Sequence, residues 1–353
     1  MCELMKQKSI LLSSICVVLG LLLLLSSCKP QSTDVSESPN TTNPSVTTTV
    51  TTTTEDVNST DEPKTLYERL EAISVSSQTH EISGLHSGYA LVYDKNKNEI
   101  VYSNEEVDAA MYPASTTKLL TALYALSVSD LEYEITVGTE LQLVAGDASK
   151  AGIRQGDTYT LYELIGLMLI PSGNDAAYAI ARGVGEQLAR EGCSNGEALH
   201  AFCDGMNEYA KNELGLDNTN FITPDGYHDE AHVTTLMDML KISVAASENE
   251  TILEFSGMVS YTCESSSGRS ITVSNTNGLI KPGYQFYNKY ITGLKTGHTS
   301  VAGRCICVSY DDGENSYIVL VFNVKKEYGD SYNDTYYRNK NVNVLINYFL
   351  KLA

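Results

Sequence analysis

Tryptophan is absent from this chain, which removes a common stacking anchor, and basic residues are scarce. Lys and Arg total 24 against 44 Asp and Glu, a formal net charge of −20. Nucleic-acid binding rests on neutralising phosphates, so that class of partner is excluded. Anionic lipid headgroups offer such a chain no attraction, and its charge serves solubility. No CxxC pair or His-rich spacing occurs, so nothing suggests a metal site. What the chain does have is 353 residues, 42% of them hydrophobic. That suffices for one large domain or two ordinary ones. The apolar residues are unevenly spread, and the first 65 residues differ in kind from the rest.

Residues 1–28 read as an export signal. Lys6 and Lys8 precede an almost wholly apolar run, Ile10 to Leu25, followed by Ser26-Ser27-Cys28. Apolar, small, small, cysteine resembles a bacterial lipoprotein cleavage site, at which Cys28 would be lipidated and become the mature N-terminus. The alternative is an uncleaved anchor, for which about 16 residues is short. Either reading places the remainder outside the cytoplasm. Residues 29–64, with Thr47-Thr48-Thr49-Val50-Thr51-Thr52-Thr53-Thr54 among Ser, Asn, Pro, Asp and Glu, cannot bury enough apolar surface to offset chain entropy. They are expected to be a disordered tether for a domain at 65–353.

Of eight cysteines, cleavage would remove Cys2 and Cys16 and lipidation would consume Cys28. An odd set remains: Cys193, Cys203, Cys263, Cys305 and Cys307. At least one is therefore unpaired within the chain. Cys305 and Cys307 share one face of a strand-like run and pair poorly. Cys193 and Cys203 could bridge two helices, or the thiols could be free and buried.

From about Leu66 the pattern is globular. Tyr89–Tyr93 and Ile100–Tyr102 flank a polar turn, a β-hairpin signature. A helix is expected from Ser115 to about Leu126. Thr160-Leu161-Tyr162-Glu163 is a capping box opening a helix to about Leu169, which Pro171 ends. Further helices are expected at 176–189, 198–214 (ending before Gly215) and 237–246. Strands follow at 290–297, 304–310 and 317–324, then an amphipathic helix over 342–352. This order predicts a sheet built from both ends of the chain with a helical block between.

Three short motifs stand out. Ser115-Thr116-Thr117-Lys118 places a hydroxyl and an amine three residues apart on one helix face. A serine hydroxyl is a weak nucleophile and needs a base within hydrogen-bond reach. Ser172-Gly173-Asn174 occupies a tight turn between two helices, and Lys295-Thr296-Gly297 ends a strand. Each is weak alone: SxxK recurs at Ser26 to Lys29, and SxN at Ser38, Ser247 and Ser331. Taken singly, the second is an ordinary turn and the third an edge-strand lysine.

Their order and settings together resemble the active-site serine penicillin-recognising family, whose motif set is known. Closest in form are the low-molecular-weight, serine-type D-alanyl-D-alanine carboxypeptidases. Tyr112-Pro-Ala-Ser-Thr-Thr-Lys-Leu-Leu-Thr-Ala and Met168-Leu-Ile-Pro-Ser-Gly-Asn-Asp-Ala-Ala carry the likeness. Asn218-Thr-Asn-Phe, Pro224-Asp-Gly, Asn275-Thr-Asn-Gly-Leu and Gly293-Leu-Lys-Thr-Gly-His-Thr extend it over about 85 to 325. Tyr227 departs from the usual leucine after Pro-x-Gly, and the chain stops soon after the last sheet helix.

The resemblance implies an α+β fold of the β-lactamase/transpeptidase type: an antiparallel sheet flanked by helices, with an inserted all-helical subdomain. It implies Ser115 as nucleophile, Lys118 as its base and Ser172 as a hydroxyl relay. Asn174, Lys295, Thr296 and Gly297 would hold substrate, and the backbone N–H groups of Ser115 and His298 an oxyanion. The implied partners are peptidoglycan stem peptides, β-lactams as covalent inhibitors, and a membrane through the N-terminal lipid. No metal or organic cofactor is needed. Two rivals stand beside this. A class A-like β-lactamase would need a carboxylate-held water; Glu213 reads as a helix-surface residue and Pro224-Asp225-Gly226 as a turn, so no convincing candidate emerges. A non-catalytic penicillin-binding sensor would have no need of Lys118.

Overall fold

The computed structural model describes residues 64–76, 81–190, 192–325 and 333–352. The export signal, Cys28 and the tether lie outside the described residues. A short helix α1 (Leu66–Glu71) and strand β1 (Ser74–Val75) lead into the hairpin β2 (Tyr89–Asp94) and β3 (Glu99–Ser103). Next comes a 3₁₀ turn, Ala114–Thr117, that runs directly into α2 (Lys118–Val128). The small pair β4 (Glu134–Thr136) and β5 (Thr158–Thr160) precedes α3 (Leu161–Leu169), α4 (Asn174–Ala189) and α5 (Asn195–Leu214). Helices α6 (Leu236–Glu248) and α7 (Glu250–Gly257) and the hairpin β6 (Ser260–Glu264) and β7 (Ser270–Ser274) follow. Strands β8 (Ile291–Gly293), β9 (Thr296–Thr299), β10 (Gly303–Asp311) and β11 (Ser316–Val324) and helix α8 (Asp334–Leu352) close the chain.

The main sheet runs β1-β3-β2-β11-β10-β8, with β9 also on β10. All its pairings are antiparallel except the two-residue β1–β3 ladder. Strands from both ends of the chain therefore meet at β2–β11, as the sequence order predicts. Both faces of the central strands are covered, so they read as unbroken apolar runs instead of alternating ones. Ile318, Leu320 and Phe322 belong to the core shared with the helical block. Val319 and Val321 belong to the core under α8, with Val342, Leu345 and Ile346.

Local chemistry accounts for several boundaries. The α3 capping box forms in full between Thr160 and Glu163, and Gly215 ends α5 at φ 63°, a backbone state that glycine adopts freely. Two expectations need correction, and one open alternative is decided. Ser115 lies in the 3₁₀ turn and not in α2, because the Thr116 and Thr117 hydroxyls donate back to the carbonyls of Pro113 (2.7 Å) and Ala114 (2.9 Å) and tighten it. The strand expected over 290–297 is broken into β8 and β9. Its ladder slips where Tyr310 pairs with Ile291 but Ser309 with Gly293, one extra residue being bulged. Lys295 sits in the gap. No Cys193–Cys203 bridge forms: all five cysteines beyond Cys28 are free, four of them buried. The hairpin β6–β7 and helix α7 were not legible, since β6 buries only Cys263 and β7 only Ile271 and Val273. Among the described residues no helix is long and apolar enough to cross a membrane.

Helix α4, which begins at Asn174, is seated against α5 by Gly185, where an added Cβ would lie 2.0 Å from the Ala198 carbonyl oxygen. In an isolated helix Gly→Ala gains about 1 kcal/mol. Here overpacking against backbone should reverse the sign by about 1–3 kcal/mol. Urea unfolding of Gly185→Ala should show a lower midpoint than the parent; an equal or higher one would disprove the close approach.

Candidate active site

Lys118 is the first residue of α2 and is 0% exposed. Residues i and i+3 eclipse in a 3₁₀ turn, so Ser115, which is half-buried, stands directly above it. The Lys118 amine contacts three oxygens: Ser115 Oγ at 2.9 Å, Asn174 Oδ1 at 2.6 Å and the Asp225 carbonyl at 2.6 Å. The last two only accept, so they take two N–H groups. The contact to Ser115 can run either way: the third N–H of an ammonium donates to the hydroxyl, or the lone pair of a neutral amine accepts from it. Burial pushes the amine down to about 8, against the opposing pull of Asp225 and Asp175. This is the arrangement of a hydroxyl and its base.

The second motif is locked to the first through Asn174. Gly173 folds so tightly under α3 that a Cβ would meet the Leu167 carbonyl at 2.5 Å. Ser172 is forced to φ 64°, a state costing a non-glycine residue about 1–3 kcal/mol. Its hydroxyl makes no hydrogen bond to another described residue, so the structure does not join it directly to Ser115 or Lys118. The Asp175 carboxylate accepts the N–H groups of Ala151 (2.8 Å), Gly152 (2.7 Å) and Ile153 (3.2 Å). It thereby pins the loop beside the motif.

The third motif approaches through Gly297, whose missing Cβ would lie 3.1 Å from the Pro113 carbonyl and 3.2 Å from Ser115 N. Backbone bonds pair Lys295 with Cys307 in both directions. Alternation along an antiparallel ladder then makes Thr296 opposite Ile306, and His298 opposite Arg304, non-bonded pairs. Their N–H groups face away from β10. The His298 ring instead reaches toward Asp334 of α8, 4.0 Å away.

Lys295 is 1% exposed and its amine donates only to the Thr296 carbonyl, at 3.0 Å. Burial, then the charges of Lys118 and Arg338, push it well down from its ordinary range. Arg338 of α8 is likewise buried, with burial and Arg304 lowering it to about 10. Among the described residues neither Lys295 nor Arg338 has a carboxylate partner. The two basic side chains are thus buried close to each other.

Three contributors escaped the sequence reading. Arg338 lies in the part of α8 that precedes residue 342, where the sequence pattern began that helix, so nothing had placed it on an element. Thr276 Oγ1 lies 2.6 Å from Thr296 Oγ1, and its N–H donates to Ile170 at 3.1 Å, joining the third motif to the second. His232, 2% exposed, stacks on Phe221 with centroids 4.7 Å apart. Its Nδ1 accepts the Ile222 N–H (3.2 Å), so Nε2 carries the proton toward Thr117 Oγ1 (2.9 Å), which holds the Ala114 carbonyl. Glu213 is exposed on the last turn of α5.

Burial lowers His232 to about 3. The unfolded chain takes up a proton below about 6.5 that the folded chain refuses until about 3. Stability should therefore be full above pH 6.5 and be lost as pH falls through that window, by up to about 1.4 kcal/mol per unit. Urea titrations at pH 7 and pH 5 should show a larger loss for the parent than for His232→Gln; equal losses would refute the account.

Comparison with known proteins agrees with this geometry. Residues 74–326 match the D-alanyl-D-alanine carboxypeptidase family. The D-alanyl-D-alanine carboxypeptidase DacF of Bacillus subtilis is 30% identical over 236 residues, 66% of this chain and 56% of that one. The D-alanyl-D-alanine carboxypeptidase of Streptomyces sp. K15 is 31% identical over 245 residues, 66% of this chain and 79% of that one. The chain thus spans little more than half the length of the Bacillus relative. The crystal structure of the Streptomyces K15 DD-transpeptidase superposes with a TM-score of 0.64 at 27% identity, over 75% of this chain and 97% of that one. With its two lysines buried beneath and beside a presented serine, this chain belongs to the D-alanyl-D-alanine carboxypeptidase family.

Proposed function

We propose that the chain is a serine D,D-carboxypeptidase that removes the terminal D-alanine from peptidoglycan pentapeptide through an acyl-serine intermediate. The observation that carries this is the triply bonded amine of Lys118 under Ser115. Once Lys118 is neutral, its lone pair takes the hydroxyl proton as Oγ attacks the penultimate D-alanine carbonyl carbon. Acylation should therefore rise with pH through about 8, where burial sets the amine. The oxygen that becomes negative is received by the N–H groups of Ser115 and His298. Such donors typically contribute a factor of about 10² to 10³ each.

Asn174 steadies Lys118 and offers its amide to the substrate backbone. Ser172, in the turn that leads into Asn174, would pass the proton from Lys118 to the leaving amine. The substrate carboxylate fits beside Lys295, Thr296 and Arg338. An anion there would reverse the pressure that deprotonates Lys295, so binding draws a proton onto that amine. Water then attacks the ester, and Ser115 regains its proton.

The β-lactamase reading asks for a carboxylate that positions water in the cleft, and Glu213 is exposed on α5. A non-catalytic sensor leaves the burial of Lys118 without a purpose. Intact-mass spectrometry with penicillin, and D-alanine release from a pentapeptide ending in D-Ala-D-Ala, test the proposal. The parent should hold a penicilloyl adduct for minutes while releasing D-alanine, and Ser115→Ala should form no adduct. Rapid loss of the adduct without D-alanine release would make the enzyme a β-lactamase.

The same reading places the domain outside the cytoplasm, tethered to the outer face of the membrane by lipid on Cys28. Cys28→Ala should fail to take up radiolabelled fatty acid and should leave the precursor uncleaved. Unchanged labelling of that variant would reject the anchor.

A further inference from the structure

The loop after Pro224 was expected to be a plain turn, yet it holds the most buried carboxylate beside the site. Asp225 is 1% exposed. Its carbonyl accepts from Lys118 at 2.6 Å. Its Oδ1 accepts the Tyr227 N–H at 3.0 Å, while Oδ2 is buried without a partner. The side chain cannot swing out easily. Gly226 follows at φ 75°, and a Cβ there would lie 1.9 Å from the Ala114 carbonyl, so the loop is clamped against the residue before Ser115. The carboxylate is felt by Tyr178 of α4 and Cys203 of α5, the second of which is interior. The carbonyl of the same residue on the Lys118 amine and the clamp at Gly226 hold it close to that amine.

Packing does not explain the charge. Asparagine would fill the same volume, keep the acceptor for Tyr227 and leave the carbonyl on Lys118 unchanged. A buried carboxylate oxygen with no donor costs stability. Asp175 is the other acid that acts on Lys118, but three loop N–H groups already compensate its charge. Asp225 has one.

We propose that the Asp225 carboxylate is a positioning residue for proton transfer, supplying close to Lys118 the counter-charge against which the amine takes up and holds the Ser115 proton. Without it, burial would leave an amine that is neutral over a wider range of pH but too weak a base to draw the proton off a serine. The inference rests on the carboxypeptidase reading of Ser115 and Lys118. The groups facing Lys118 are Asp225 on its loop, Asp175 on α4, Lys295 beside β9 and neutral His232 beyond Thr117.

The test is the pH profile of acylation by penicillin, followed by intact mass on the full chain. In Asp225→Asn the midpoint of the acid limb should move down by about one pH unit, as expected on losing an adjacent opposite charge. The plateau rate should fall at the same time. Asp147→Asn, at an exposed acid that bonds Tyr227 Oη at 3.1 Å, should leave the midpoint in place. If Asp225→Asn does not fold, Asp225→Ser keeps an acceptor for Tyr227 and should show the same shift. A lowered plateau with an unmoved midpoint would overturn the inference and leave Asp225 a structural residue. Absence of any adduct on the parent would instead bring down the carboxypeptidase reading, and this inference with it.

Discussion

A lysine amine held at 0% exposure is the constraint around which the rest of the molecule is arranged. An unpaired buried ammonium is not tolerated, so three oxygens converge on it, and each comes from a different stretch of chain. Ser115 comes from the turn before α2, Asn174 from the start of α4, and the Asp225 carbonyl from the loop after α5. Satisfying that one group fixes the helical block against the nucleophile. The same burial lowers the proton affinity of the amine toward working pH, so the structural demand and the chemical one are met by a single arrangement.

Close backbone approach is the means by which these segments reach one another. Gly173 lies under the Leu167 carbonyl, Gly226 on the Ala114 carbonyl, and Gly297 beside Pro113 and Ser115. A side chain at any of the three would push apart two segments that must touch. Strain accumulates at the same places. Ala114 and Ser172 hold φ of 49° and 64°, states that a non-glycine residue adopts only when its surroundings over-determine them. His232 and Thr117 supply that surrounding for Ala114 through a chain of hydrogen bonds ending on its carbonyl.

The third motif obeys a different logic. Lys295 and Arg338 are buried together, and burial with the charges of Lys118 and Arg338 presses the Lys295 amine toward its neutral form. The relatives' names illustrate what such a site leaves open: proteins of the Streptomyces K15 strain are named both as a carboxypeptidase and as a DD-transpeptidase.

Much of this was legible in the chain. The apolar runs of β2, β10 and β11, the Thr160–Glu163 capping box and the Gly215 stop are local patterns, and they fixed most elements and the division into sheet and helical block. Ser115, Lys118, Asn174 and Lys295 could be singled out because spacing and order survive in one dimension. What spacing could not reveal is direction. Arg338 falls outside the helix expected over 342–352 until α8 is seen to begin at Asp334, and Asp225 looks like a turn residue until Gly226 clamps its loop against Ala114. Which groups come together around Lys118 was thus largely written in the sequence. Their proton affinities depend on which charges are buried together and which stay solvated, and only the tertiary structure decides that.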